Sequence, residues 1–226
     1  MTLSLVGISV PNFWLGPLLA IGLMLLFAND MRTVFWIAVI PALIAVLLVV
    51  VVVEDRQDQE ESTAARPPLR VADLKQLERP FWIVAAIGLV FTLARFSEAF
   101  LILKASEEGL SLALAPMVLV VMNLVYSLGA YPAGILSDRL KARDLLLWGL
   151  MCLVAADVVL ALLPGLAAAF AGIALWGLHM ALTQGLLAKL VADNAPERLR
   201  GSAFGLFNLV TGVALLLASL LAGLLW

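Results

Sequence analysis

The chain has 226 residues, of which 64% are hydrophobic and 13% charged, with a mean hydropathy of +1.09; an ordinary soluble domain holds roughly 45–50% apolar residues even with glycine counted in. That composition excludes a soluble protein, and a net charge of −2 leaves no basic surface for nucleic acid. A single cysteine, Cys152, and a single histidine, His179, exclude an internal disulfide and a multi-histidine metal centre, and no cofactor is implied.

A backbone in the bilayer core must satisfy its own hydrogen bonds, so every apolar run of about twenty residues is predicted as a helix, valine-rich runs included. Seven spans follow in chain order: Phe13 to Ala28, with Leu3 as an earlier start, Met31 to Val53, Phe81 to Leu103, Leu112 to Gly134, Leu145 to Leu163, Leu166 to Ala192 and Ser202 to Trp226. The opening is unlike a signal peptide, because Met1 to Phe27 carries no charge and hence no basic leading region; it is expected to stay in the mature protein. Between the second and third spans, Glu54 to Arg79 is a polar linker opening EDRQDQEESTAARPP, too charged to pack. After Pro67 and Pro68, Val71, Leu74 and Leu77 recur at spacing three, which fits either a short helix on the bilayer surface or a frayed start to the third span.

Basic residues collect in cytoplasmic loops. Arg56, Arg66, Arg70, Lys75 and Arg79 in the linker, Arg139, Lys141 and Arg143 between spans four and five, and Arg198 and Arg200 between spans six and seven all fall on one side, while the opposite loops carry Arg32 and Lys104. The richer side is predicted to be cytoplasmic, with the amino terminus inside and the carboxyl terminus outside. Lys189 is expected to snorkel towards it from span six.

The connection after span four reads GILSDRLKAR, Gly134 to Arg143. On physical grounds Gly134 ends the helix and permits close approach, Asp138 is placed to accept from backbone donors at the next helix start, and Arg139 and Arg143 meet an anionic membrane face. The segment also resembles the cytoplasmic loop motif of the major facilitator superfamily, G-x-L-[AS]-D-[RK]-x-G-R-[RK], at Gly134, Leu136, Ser137, Asp138, Arg139 and Arg143; Lys141 and Ala142 replace its usual glycine and arginine. A hairpin later, NAPERLRGSAFGLFN, Asn194 to Asn208, resembles the segment joining the tenth and eleventh helices in many members. More loosely, Gly16 and Pro17 resemble the glycine-proline of the exporters' antiporter motif, with Asn12 and Ala20 standing where that pattern has glycines.

The resemblance implies an all-α, polytopic membrane bundle whose seven spans stand for helices five to eleven of a twelve-helix fold. Residues 1–53 are then a remnant of the N-terminal half, 54–79 the central cytoplasmic linker, and 80–226 the C-terminal half without its last helix. A chain truncated in this way at both ends is not expected to transport alone, because facilitators rock one half against the other around a midplane site.

An ionisable side chain near the bilayer centre costs roughly 2.5–3.5 kcal/mol on insertion scales, so each needs a partner or a purpose. Arg95 and Glu98 in span three are spaced to pair on one helix surface. The resemblance makes this the cavity-lining seventh helix, so the two are either a substrate or proton site or a structural ion pair. Asp157, in the middle of span five, has no partner on its own helix and is read as a structural or coupling residue. On span six, His179 and Thr183 share a face, pointing away from a small-residue stripe of Gly177, Ala181 and Gly185 that suits close helix contact. If this helix is the tenth, they face the cavity; His179 is then either a proton relay or a satisfied packing histidine. Gln184 is a further pathway candidate or an interhelical hydrogen bonder, and Asn123 and Asn208 are expected to bond across helix interfaces.

The leading reading is a facilitator-type secondary transporter, or a fragment of one, in the cell inner membrane. Its partners are the lipid bilayer, a small organic solute and protons, with efflux favoured over uptake. The competing reading is a non-transporting remnant of a truncated gene. An intramembrane enzyme fits less well: Gly7-Ile8-Ser9-Val10-Pro11 breaks the G-x-S-x-G pattern of a rhomboid-like protease, and a retinal protein would need a Schiff-base lysine in a last span that has none.

Overall fold

Apolar runs punctuated by proline, glycine and charged turns become eight helices among the residues that the computed structural model describes, namely 4–5, 8–9, 15–27, 30–52 and 76–225. In chain order α1 is Leu15–Leu26, α2 Met31–Val52, α3 Arg79–Leu93, α4 Ala99–Glu107, α5 Pro116–Arg139, α6 Ala142–Leu162, α7 Leu166–Asp193 and α8 Arg200–Leu225. Single 3₁₀ turns at Leu112–Leu114 and Glu197–Leu199 lead into α5 and α8. Ahead of α1, Ser4 pairs with Ser9 and Leu5 with Ile8 in a two-rung antiparallel contact. The architecture is otherwise all-α. Leu112–Arg139, Ala142–Leu162, Leu166–Asp193 and Glu197–Leu225 are each long and apolar enough to cross a membrane.

The helix ends have local causes. Asp30 precedes α2 and accepts from the Arg32 N–H (3.0 Å) and the Thr33 hydroxyl (2.6 Å), occupying donors the helix leaves open. Pro80 and Pro116 stand in the first turns of α3 and α5, where a missing N–H breaks no helix bond. At the end of α4, Gly109 takes φ +98, its N–H reaching Ser106 and that of Leu110 reaching Ala105. That reciprocal pair needs a left-handed residue, which glycine adopts without strain.

Helix α7 is the centre of the bundle, packing on α5 and α6 along its length and on α3, α4 and α8 by shorter contacts. Lipid tails are as apolar as leucine, so these contacts depend on close fit rather than on water exclusion. Small residues provide it. A side chain on Gly177 would run into the Met122 backbone oxygen of α5, one on Gly149 into Thr183, one on Gly172 into Leu160, and one on Gly88 into Phe207 of α8. Trp176, Leu153, Ile173, Met122 and Leu101 fill one buried cluster, and Leu77, Phe81, Val84, Val191 and Ala203 a second that fastens α3 to the α7–α8 turn. The outward faces of α2, α6 and α8 expose Trp36, Leu147, Val154, Leu216 and Leu224, as a lipid-facing surface does.

Two expectations need correction. The predicted span Phe81 to Leu103 is not one helix: α3 stops at Leu93 and α4 begins at Ala99. Gly134 does not end its helix, because α5 continues to Arg139, and a side chain at Gly134 would meet nothing within 4 Å, so no close approach occurs there. Within the first span the described helix is the 12-residue α1, and Phe13, Trp14 and Ala28 lie outside the described residues. Most of the linker, with Val71 and Leu74 of its predicted surface helix, lies outside the described residues; Leu77 is buried against Phe81's cluster.

Candidate functional site

The break between α3 and α4 is the centre of the site. The Thr92 hydroxyl donates to the Gly88 carbonyl (2.8 Å), a back-bond that competes with the helix ladder near its end. The chain is then outside regular helix from Ala94 to Glu98, although Ala94 and Glu98 themselves keep α-region dihedrals. One backbone donor released by the break, the Ser97 N–H, finds the Ser219 hydroxyl of α8 at 3.2 Å. Unwound backbone at membrane depth is tolerated where protein or a cavity surrounds it and such donors are satisfied again.

Beside the break lies a cavity of about 340 Å³. Phe91, Thr92 and Arg95 line it from α3 and the break, His179, Thr183, Gln184 and Leu187 from α7, and Phe204, Phe207, Asn208, Thr211 and Leu215 from α8. Of the sequence-derived candidates, the fold therefore brings Arg95, His179, Thr183 and Gln184 to one space. Glu98 is not among the lining residues; it stands at the amino end of α4, within electrostatic reach of Arg95. The expected Arg95–Glu98 contact pair does not form. Among the described residues the ion pairs are Lys104–Glu108, Lys189–Asp138 and Arg200–Glu197.

His179 and Thr183 are each 2% exposed. The His179 Nδ1 lies 2.9 Å from the Gly149 carbonyl of α6, and since a carbonyl only accepts, Nδ1 carries the proton. Phe91 stacks on the ring with centroids 6.2 Å apart, and the Thr183 hydroxyl donates to the His179 carbonyl at 2.8 Å. The imidazole is thus oriented from two sides. Gln184 lines the cavity and makes no hydrogen bond among the described residues, nor does the side chain of Asn208, which was expected to bond between helices. Asn123 bonds within its own helix, to the Leu119 carbonyl at 2.8 Å. Phe204, Asn208, Thr211 and Leu215 fall four, three and four apart, a helical stripe that marks the cavity face of α8 in the sequence itself.

Asp157 sits apart, on a second cavity of about 270 Å³ shared with Phe96, Phe100 and Lys104, and its Oδ1 is buried with no hydrogen-bond partner among the described residues. At the end of the bundle near α4, Lys104 Nζ donates to Glu108 Oε1 at 2.7 Å, and the Gly165 N–H donates to Glu108 Oε2 at 2.6 Å. These donors hold the Glu108 carboxyl below the usual carboxylate range, Lys104 more than Gly165. At the opposite end, Asp138 accepts from Lys189 Nζ of α7 at 2.7 Å, and Arg198 donates to Gln76. Asp138 therefore does not cap the following helix as expected; the acidic residue in the first turn of α6 is Asp144. Arg139 and Arg143 of the same motif are exposed, as is Gly134.

An all-α bundle with four helices suited to crossing a bilayer, a broken helix in its interior and lipid-like outer faces is an integral, multi-pass membrane protein. The sequence profile of the Major Facilitator Superfamily matches residues 5–219, and the chain belongs to that superfamily. A curated relative from Methanocaldococcus jannaschii, described as an uncharacterized MFS-type transporter, is 31% identical over 159 residues, which are 68% of this chain and 40% of the relative. The chain thus matches less than half the length of that relative. No solved structure matches with significance.

Proposed function

We propose that the chain is part of a secondary transporter that moves a small organic solute through the cavity beside the α3–α4 break, coupled to protons, in the cell inner membrane. The observation that carries this reading is the meeting of Arg95, His179, Thr183, Gln184 and Asn208 around one space at a discontinuous helix. Broken helices next to a midplane cavity are where transporters bind solutes and coupling ions. In the proposed register the spans are helices five to eleven, residues 1–53 belong to the first half, 54–79 join the halves, and 80–226 belong to the second. The ends bearing Arg139, Arg143, Arg198 and Arg200 face the cytoplasm, which sets the amino terminus inside. Gly16 and Pro17 in α1 favour export.

Glu98 is the proposed proton carrier, across the break from Arg95, and His179 a proton relay on the cavity wall. Asp157 is a coupling or structural residue on the second cavity. Membership of the superfamily supports a carrier rather than an enzyme. The test is solute-dependent proton flux into vesicles containing the otherwise complete carrier of which these residues are part, followed with a trapped pH dye. Glu98→Gln is expected to abolish the flux, and intact coupling in that variant would reduce Glu98 to a structural role. The competing reading is a remnant that does not transport. It predicts no solute-driven proton flux from any longer form of the protein that carries these residues.

A further inference from the structure

We propose that the solute of the main cavity is a small organic anion, a carboxylate on an aromatic or aliphatic body, held against the Arg95 guanidinium. The inference rests on the transport reading above and narrows its substrate class.

Arg95 is the one formally charged residue among the described residues lining the cavity; no aspartate, glutamate or lysine faces it there. Its guanidinium makes no hydrogen bond or ion pair among the described residues. A half-buried fork of five N–H donors without an acceptor is costly, and its planar geometry matches the two oxygens of a carboxylate. The nearest acid does not supply that acceptor. Glu98 stands at the amino end of α4 and is absent from the cavity lining. Gln184 and Asn208 add amide donors that are unengaged among the described residues, whereas His179 has Nδ1 committed to Gly149. Phe91, Phe204 and Phe207 form the apolar part of the wall. A single anionic head on a compact apolar body satisfies the donors and the rings together, and about 340 Å³ lies within the roughly 300–1,000 Å³ typical of small-molecule sites.

The experiment is calorimetric titration of the full chain in detergent micelles with benzoate, benzamide and benzylamine, which share a ring and differ in charge. Benzoate is expected to bind about tenfold or more tightly than the other two, because charge-assisted bidentate contacts exceed neutral ones. Arg95→Gln is expected to remove that preference, Arg95→Lys to retain part of it, and Gln184→Glu to abolish benzoate binding by supplying the guanidinium with an internal carboxylate. Near-ultraviolet circular dichroism separates these effects from unfolding. Equal or better binding of benzamide or benzylamine would overturn the anion assignment while leaving a solute cavity in place. Binding of none of the three would overturn both the anion assignment and the cavity's role as a solute site. A benzoate preference that survives Arg95→Gln in a folded variant would overturn the role given to Arg95.

Discussion

Glu108 holds two elements with one side chain, one carboxylate oxygen on Lys104 of its own helix and the other on the Gly165 N–H at the start of α7. Because the folded protein holds this carboxyl below its ordinary value of 4.5, its contribution to stability is present above that value and is lost as pH falls through the folded one. Glu108→Gln is therefore expected to melt below the wild type at neutral pH, with the gap closing under acid. Thermal unfolding of both proteins in detergent from pH 7 downwards checks the sign; a gap that widens in acid would contradict it. Two glycines on one face of α7 give a second contrast. A methyl on Gly177 meets backbone of α5, which cannot move aside cheaply, whereas one on Gly185 meets nothing within 4 Å. Gly177→Ala should cost about 1–3 kcal/mol as overpacking, and Gly185→Ala should be neutral or slightly stabilising, as measured by unfolding in mixed micelles.

At the scale of elements, the interruption of the third span sets the site. It turns Arg95 into the space between α3, α7 and α8 and leaves Glu98 at the amino end of α4, outside the cavity lining. Its backbone depends on Ser219, so Ser219→Ala should cost about 0.5–1.5 kcal/mol for the lost bond. The same variant should speed hydrogen exchange at Ser97 while leaving the middle of α6 protected; unchanged exchange at Ser97 would remove Ser219 from that role. The uninterrupted helices were legible in the sequence within a few residues: Leu145 to Leu163 against Ala142–Leu162, and Leu166 to Ala192 against Leu166–Asp193. Hydropathy defines such spans by length alone. The break was not legible, since no glycine or proline lies between Thr92 and Ala99, and the partner of its freed N–H is 122 residues away. Distance in sequence also hid the Asp138–Lys189 pair, whose members read locally as a cap and a snorkelling lysine. His179 and Thr183 were legible as a face because a spacing of four on one helix needs no tertiary knowledge. The cavity role of Asn208 was missed by reading it alone rather than as one rung of the stripe from Phe204 to Leu215.

Over the whole molecule, contacts sort the polar groups to two ends. Gln76, Asp138, Lys189 and Arg198 are drawn together by hydrogen bonds at one end, and Lys104, Glu108 and Gly165 at the other. With basic residues concentrated at the first end, a thiol at Asp138→Cys should resist an impermeant reagent in intact cells and react once the membrane is opened; labelling in intact cells would invert the proposed orientation. Between those ends, a solute path needs the α7–α8 face beside Arg95 to be wet while the outer face of α8 is in lipid. Asn208→Cys and Leu216→Cys, each in a Cys152→Ala background in vesicles, compare the two faces of one helix directly. An impermeant maleimide should react roughly tenfold or more faster at position 208, because the reactive thiolate forms only where water reaches it. Equal protection of both positions, or faster reaction at 216, would mean that no aqueous solute cavity exists where Arg95, His179 and Asn208 meet.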